Sequence, residues 1–206
     1  MKTKSDPLNP DPPAAMTRSL AAIRHLETTV VDNTDIEGVA LRYGNFYGPG
    51  AHVGEGGPFL DQIRRRRFPI VGDGAGVWSF IHYDDVAMAT MLAMDRGAPG
   101  IYNVLDDDPA QCRSGCPSSP GYLGRSRPRR VPAWLGRLVG GEAGVSMFTR
   151  IRGAANAKAK RELGWRLLYP SWRDGFRRGL GNTPPPSEWV QTGKPAHHRS
   201  TDGSGQ

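Results

Sequence analysis

Leu41-Arg42-Tyr43-Gly44-Asn45-Phe46-Tyr47-Gly48-Pro49-Gly50 is the stretch from which the fold is read. Gly38 opens the run Val39-Ala40-Leu41, which Arg42 and Tyr43 continue. A short apolar run of this kind suits a strand buried on both faces of a parallel sheet. Its end is marked by the turn formers Gly44, Asn45, Gly48, Pro49 and Gly50.

Outward from this strand the sequence alternates. Leu20, Ile23, Leu26 and Val30 recur at helical spacing before it. After it come a Gly-rich loop, a predicted helix from Phe59 to about Arg66, and a short strand over Phe68–Val71. A turn at Gly72-Asp73-Gly74 and a strand over Val77–Ile81 follow. Asp84 or Asp85 is expected to cap the next helix, whose inner face is Val86, Ala89, Leu92 and Ala93. Ile101–Leu105 is a further strand. Ala133–Val139, Asn156–Leu163 and Ser171–Leu180 are predicted helices. Alternating strands and helices predict an α/β architecture with a mainly helical C-terminal lobe.

Four segments together carry a family resemblance. The opening stretch resembles the "LR-x-x-N-x-YGPG" strand-to-loop signature of extended short-chain dehydrogenases. Gly72-Asp73-Gly74 followed by Phe80-Ile81-His82-Tyr83-Asp84-Asp85-Val86-Ala87 is similar to their "GDG…F-[IV]-H-V-x-D-V-A" segment. Gly100-Ile101-Tyr102-Asn103-Val104 matches "G-x-YNV", and Asn156 to Trp165 resembles the late "K-x-x-x-ELGW" helix. The matches occur in the family's order over roughly residues 17 to 180. The sequence is identified by them as resembling the NAD-dependent epimerase/dehydratase family, in its C-terminal half only. The resemblance implies a partial Rossmann-like parallel sheet, a small-molecule substrate and NAD(P) as cofactor. It sets Tyr43 and Gly44 beside the nicotinamide, and Asn45, Phe46 and Tyr47 beside the substrate. An Asn amide both donates and accepts, which suits a hydroxyl- or carbonyl-bearing ligand. Asn45 closing the turn is the alternative. Asp85 is read as a helix cap rather than a catalyst, and His82 as a packed strand histidine.

The departures from the pattern are equally specific. The family holds the pyrophosphate on a G-x-x-G-x-x-G turn between a strand and a helix. The 206 residues contain no such turn, and the cluster Gly48 to Gly57 falls after the wrong strand. The family's catalytic Tyr and Lys lie four apart on one helix, often with a Glu four further on. Anchoring on Glu27 puts Ser19 and Ile23 at those positions, and neither can move a proton. No catalytic residue is therefore assigned, and the expectation is a truncated member, inactive alone. A non-catalytic ligand- or partner-binding module is the alternative. Trp78 stands where nucleotide-sugar members carry a phosphate-binding Arg. Binding to substrate-sized molecules, self-association, or pairing with a missing N-terminal half are the expected partnerships.

Composition narrows the rest. Mean hydropathy is −0.51, with 27 Gly and 18 Pro. Met1–Pro13 is no signal peptide, and no apolar run approaches the ~20 residues that span a bilayer. The reading is a cytoplasmic chain without a membrane partner. The net charge of +7 is scattered, so nucleic acid is not the expected ligand. The dense run from Arg64 to Arg67 reads as the solvated end of a helix. Cys112 and Cys116 have no companion ligands for a metal, so no metal site is expected. Residues 1–16 are read as a lead-in, 17–181 as the family-like domain and 182–206 as a disordered tail.

Residues 111–126 break the family pattern between two regions that fit it. A choice of codons for Cys112 to Gly124 reads, in the neighbouring frame, as Val-Pro-Glu-Trp-Leu-Pro-Glu-Leu-Ala-Arg-Val-Leu-Gly, an amphipathic helix. The segment is a candidate frameshift, and the gene sequence decides it.

Overall fold

The computed structural model describes residues 12–65, 67–114 and 129–181. Helix α1 spans Ala14–Val31, starting directly after Pro13, and leads to strand β1, Val39–Tyr43. Strand β2, Asn45–Tyr47, and helix α2, Pro58–Arg64, follow. Strands β3 (Ile70–Val71), β4 (Val77–Trp78) and β5 (Phe80–His82) precede helix α3, Tyr83–Arg96. Beyond it lie β6 (Gly100–Val104), β7 (Ala110–Gln111) and β8 (Arg130–Val131), then helices α4 (Ala133–Thr149), α5 (Ala157–Leu163) and α6 (Trp172–Arg178). The tail assigned to 182–206, residues 1–11 of the lead-in and the segment 115–128 lie outside the described residues.

Parallel pairing organises the centre. β1 runs parallel to β6 in the register Leu41↔Tyr102, and β2 parallel to β5 in the register Tyr47↔His82. β3 pairs parallel with β8, and only β4–β7 is antiparallel among the described pairs. β1 and β2 are one extended segment that changes partner at Gly44. The Gly44 N–H donates to Val104 O (3.0 Å), whereas the Asn45 N–H donates to Ser79 O (2.8 Å). Sequence reading assigned this stretch to a turn. The turn formers instead end the pairing with β6 and permit the step onto β5. A similar break at Ser79 divides the predicted strand over 77–81 into β4 and β5.

Two apolar clusters hold the layers together. One, with Ile81, Tyr102, Val104, Ala89, Leu163 and Trp165, lies between the β1–β6 pair and helices α3 and α5. The other joins Tyr47, Trp78 and Phe80 to Leu60, Trp172 and Phe176, tying α2 and α6 to β2 and β5. α3 shows the predicted inner face, with Ala89 and Ala93 buried. It stops at Gly97, and α5 stops at Gly164, whose left-handed φ of 63° suits glycine.

Three expectations are corrected. The face of α1 was expected to bury Ile23 and Leu26; both are exposed, and Glu27 is buried instead. Neither Asp84 nor Asp85 caps α3. The strand feeds straight into the helix, so the cap falls on His82, whose Nδ1 accepts from the Asp84 N–H at 3.1 Å. α4 runs well past the predicted Val139, to Thr149, through a kink at Gly141, where φ is 64°.

Candidate functional site

The carboxyl ends of parallel strands are where open α/β folds bind ligands. Here that edge is the Gly44 crossover. A Cβ at Gly44 would come within 3.0 Å of the backbone of Phe80 and Ser79, so the step between partners leaves no room for a side chain. The bare backbone at Gly44 is flanked by a line of rings. Tyr43 and Phe46 lie 5.6 Å apart between centroids, and Phe46 and Tyr83 lie 5.5 Å apart. All three are more than a third exposed. The Tyr43 hydroxyl pairs with Thr90 Oγ1 at 2.7 Å, and Thr90 donates to Val86 O, which fixes that ring against α3.

Asn45 is exposed, and its Nδ2 donates to Ser79 O at 3.0 Å. One of its amide donors is therefore engaged in closing the crossover. Tyr47 is placed differently from its neighbours. Its ring is fully buried against Phe80, His82 and Phe176, and a Cβ on Gly175 would fall 2.0 Å from its hydroxyl. Burial pushes that phenol far above its ordinary pKa. Tyr43, Gly44, Asn45 and Phe46 thus share one edge, while Tyr47 supports it from the core. The loop after β2 bounds an open cleft of about 400 Å³ lined by Gly50, Ala51, His52, Glu55, Gly57 and Pro58. Glu55 accepts two bonds from Arg64, both 3.0 Å.

Behind the edge, buried charges and dipoles fix the frame. Arg42 of β1 donates from Nε and Nη2 to Glu27 of α1 at 2.6 and 2.7 Å, a bidentate pair that orients the helix on the strand. Ser19 and Ile23, eight and four residues before Glu27, are exposed on that helix. They carry no phenol or ammonium, so α1 offers no proton donor at those positions. His82 is fixed as one tautomer, since its Nδ1 accepts from Asp84 and its Nε2 donates to Gly179 O at 2.9 Å. Burial holds its pKa below the ordinary range. Asp85 is fully buried and accepts from the Leu168 and Tyr169 N–H groups at 2.6 and 3.0 Å. Burial pushes its carboxyl up to about 6, and those two bonds oppose the rise. Trp78 is buried, with its Nε1–H donating to Met147 O at 2.7 Å, so no cation stands at its position.

Sequence reasoning missed two groups. The Arg42–Glu27 pair was legible in principle, because Glu27 is the only acidic residue of α1 and Arg42 sits in an apolar strand. Asp106 was read as part of a closing turn, yet it is 1% exposed. Nothing in the run Asp106-Asp107-Asp108 distinguishes its first member.

The dinucleotide fits this edge only in part. The bare Gly44 backbone and the Tyr43–Phe46 rings can meet a planar ring such as nicotinamide. The sequence contains no G-x-x-G-x-x-G turn for the pyrophosphate, and its Gly48–Gly57 loop follows the wrong strand. Among the described residues, no cluster of His, Cys, Asp and Glu could hold a metal.

Comparison with known proteins agrees with this architecture. Residues 2–104 match the family model described as NAD dependent epimerase/dehydratase family. A Streptomyces protein named 3-diazoavenalumate denitrifying reductase is 38% identical over 170 residues, which are 82% of this chain and 55% of that protein. A human epimerase family protein solved with NADPH superposes with a TM-score of 0.70 at 17% identity, over 88% of this chain and 59% of the other. A Streptomyces venezuelae dTDP-glucose 4,6-dehydratase double mutant solved with NAD gives a TM-score of 0.62 at 24% identity, over 86% and 52%. The chain therefore spans little more than half the length of these relatives. The matched segment contains β1, the Gly44 crossover and β6, the elements that build the candidate site, and the chain belongs to the NAD-dependent epimerase/dehydratase family.

Proposed function

We propose that this chain forms the substrate-facing portion of an NAD(P)-dependent oxidoreductase or epimerase, and that the 206 residues alone do not turn over substrate. The observation that carries the reading is the Gly44 crossover, where a side-chain-free backbone is bounded by Tyr43 and Phe46. Tyr43 and Gly44 would face the nicotinamide, and Asn45 and Phe46 the substrate, with Tyr47 beneath them. The name of the Streptomyces relative favours reduction over epimerisation. The buried Trp78 disfavours a nucleotide-sugar substrate, because no guanidinium stands there to pair with a diphosphate.

Inactivity of the isolated chain rests on Ser19 and Ile23, which supply neither proton nor cation, and on the lack of a G-x-x-G-x-x-G turn in the sequence. The partner we propose is a dinucleotide-binding half, consistent with a cytoplasmic setting. Among the described residues β1 pairs on one side only, with β6, and such an open edge accepts a further strand. Exposed Ile23, Leu26 and Met91 supply apolar surface to the same partner. Without it the chain should be marginally stable.

The test uses nicotinamide mononucleotide and full NAD as probes of the isotope-labelled chain. Amide shifts at Gly44 and Asn45, with equal and weak affinity for the two probes, are the expected result. A much tighter grip on NAD would show a pyrophosphate site that this reading lacks. No shift at Gly44 with either probe would remove the assignment of the edge.

A further inference from the structure

We infer that α4 carries a peripheral docking face for an anionic lipid surface. Trp134, Leu135, Leu138 and Val139 follow one another at i, i+1, i+4 and i+5, so they form a single stripe on the helix. Trp134 is 63% exposed, Leu138 75% and Val139 88%. The opposite side of the helix is the packed one. Gly136 is buried so tightly on β3 that a Cβ would reach Val71 Cγ1 at 2.4 Å. The buried Gly136, packed against the Val71 and Val145 side chains, thus turns the stripe outward.

Charge decides what covers the stripe. Residues 129–152 contain Arg129, Arg130, Arg137, Arg150 and Arg152 against Glu142 alone, a net of +4 within a chain of +7. All five arginines are exposed. Glu142 is shared, 3.2 Å from Arg137 and 4.0 Å from Arg150, so it neutralises one cation at most. A second copy of the chain would set this net-cationic segment, in which Arg137 flanks the stripe and Arg150 reaches the same Glu142, against its like, which opposes self-association. Nucleic acid would satisfy the arginines but leave the apolar centre unmatched. An anionic bilayer satisfies both at once. Leu and Val enter the acyl boundary, Trp takes the interfacial level, and arginines meet the headgroups. The contact is peripheral, since no described helix is long and apolar enough to cross a membrane.

The test is co-sedimentation of the full chain with phosphatidylcholine vesicles and with vesicles containing about one-third phosphatidylserine. The inference expects binding to the anionic vesicles at least about tenfold tighter than to the neutral ones, and lost as salt rises. Leu138→Asp with Val139→Asp should abolish it while leaving the far-UV circular dichroism unchanged, because both side chains lie outside the core. Brominated lipid should quench emission in the wild type and not in Trp134→Phe. No binding to either vesicle overturns the inference. So does binding that survives the double aspartate variant, or an acidic peptide that binds this face in place of vesicles. A salt-insensitive dimer abolished by the same variant would assign the face to a second copy instead.

Discussion

Asp106 is expected to make this protein less stable as pH rises through the neutral range. The side chain is 1% exposed and follows β6 immediately beyond Leu105. Oδ1 accepts from the Asp108 N–H at 3.3 Å, and among the described residues Oδ2 has no hydrogen-bond partner. Burial pushes its carboxyl up from the ordinary 3.8 to about 8, opposed by backbone N–H groups of Asp108 and Trp172 and reinforced by the neighbouring acids. A folded pKa above the unfolded one means that the stabilising contribution is complete below pH ~4 and is lost as pH climbs through about 8. A rise of about four units at 1.36 kcal/mol each bounds the loss at about 6 kcal/mol, and local relaxation lowers it to a few. That is a large part of the ~5–15 kcal/mol that holds a domain together. Asp106→Asn keeps the shape and the accepting oxygen but removes the charge. Its new N–H₂ lacks a partner, which costs about 1–3 kcal/mol at every pH. The variant should therefore match or trail the wild type at pH 5 and exceed it by about 2 kcal/mol at pH 8.5. Urea unfolding followed by tryptophan emission at pH 5, 7 and 8.5 measures both. Glu55 and Asp174, whose carboxyls are held low, titrate below this window. Tyr47, Tyr102 and Tyr169, raised above 10, titrate beyond it. Inside it Asp85, raised to about 6, loses stability with the same sign, and His82, lowered by burial, gains it. The Asp106 contribution is therefore read as the difference between wild type and variant at each pH. A wild type whose stability rises from pH 5 to 8.5, with the variant trailing throughout, would refute the reasoning.

Other perturbations follow from the same buried contacts. Asp85→Asn sets an amide donor against one of the two N–H groups it now receives, and should cost about 2–4 kcal/mol; a loss under about 1 kcal/mol would return Asp85 to the role of a mere helix-dipole partner. Glu27→Gln leaves Arg42 part-buried without its counter-ion. It should lower stability by about 3 kcal/mol and loosen α1 first, visible as faster amide exchange over Ala14–Val31. Gly175→Ala drives a methyl into the Tyr47 ring, 2.0 Å from its hydroxyl and 2.4 Å from two ring carbons. It should destabilise by at least about 2 kcal/mol, and Tyr47→Leu should recover part of that where Tyr47→Phe does not.

Much of the site was legible because its signals are local. Gly44 announces a close approach of backbones, and Val39 to Leu41 announces a parallel strand, although its residues are half-buried rather than covered on both faces. The spacing of Val86, Ala89 and Ala93 fixes the inner face of α3. What the sequence hid depends on partners distant in the chain. Asp85 looks like a cap by position and is claimed by Leu168 and Tyr169 more than eighty residues later. His82 reads as an ordinary strand residue, and becomes the cap only because β5 enters α3 without a loop. Tyr47 belongs to the same short motif as Asn45 and by strand alternation would share its face, yet it is buried because Phe80, His82 and the distant Phe176 close over its ring. Apolar spacing in α1 failed for a related reason. Ile23 and Leu26 repeat at helical period, but among the described residues the layer they would pack against is not supplied.

The central claim is that these 206 residues present a nicotinamide-facing edge without a hold on the pyrophosphate. Calorimetric titration of the purified chain with NADH and NADPH tests it most directly. The account predicts no saturable binding tighter than about 1 mM, which corresponds to about 4 kcal/mol. A micromolar, one-to-one complex with either dinucleotide would contradict it.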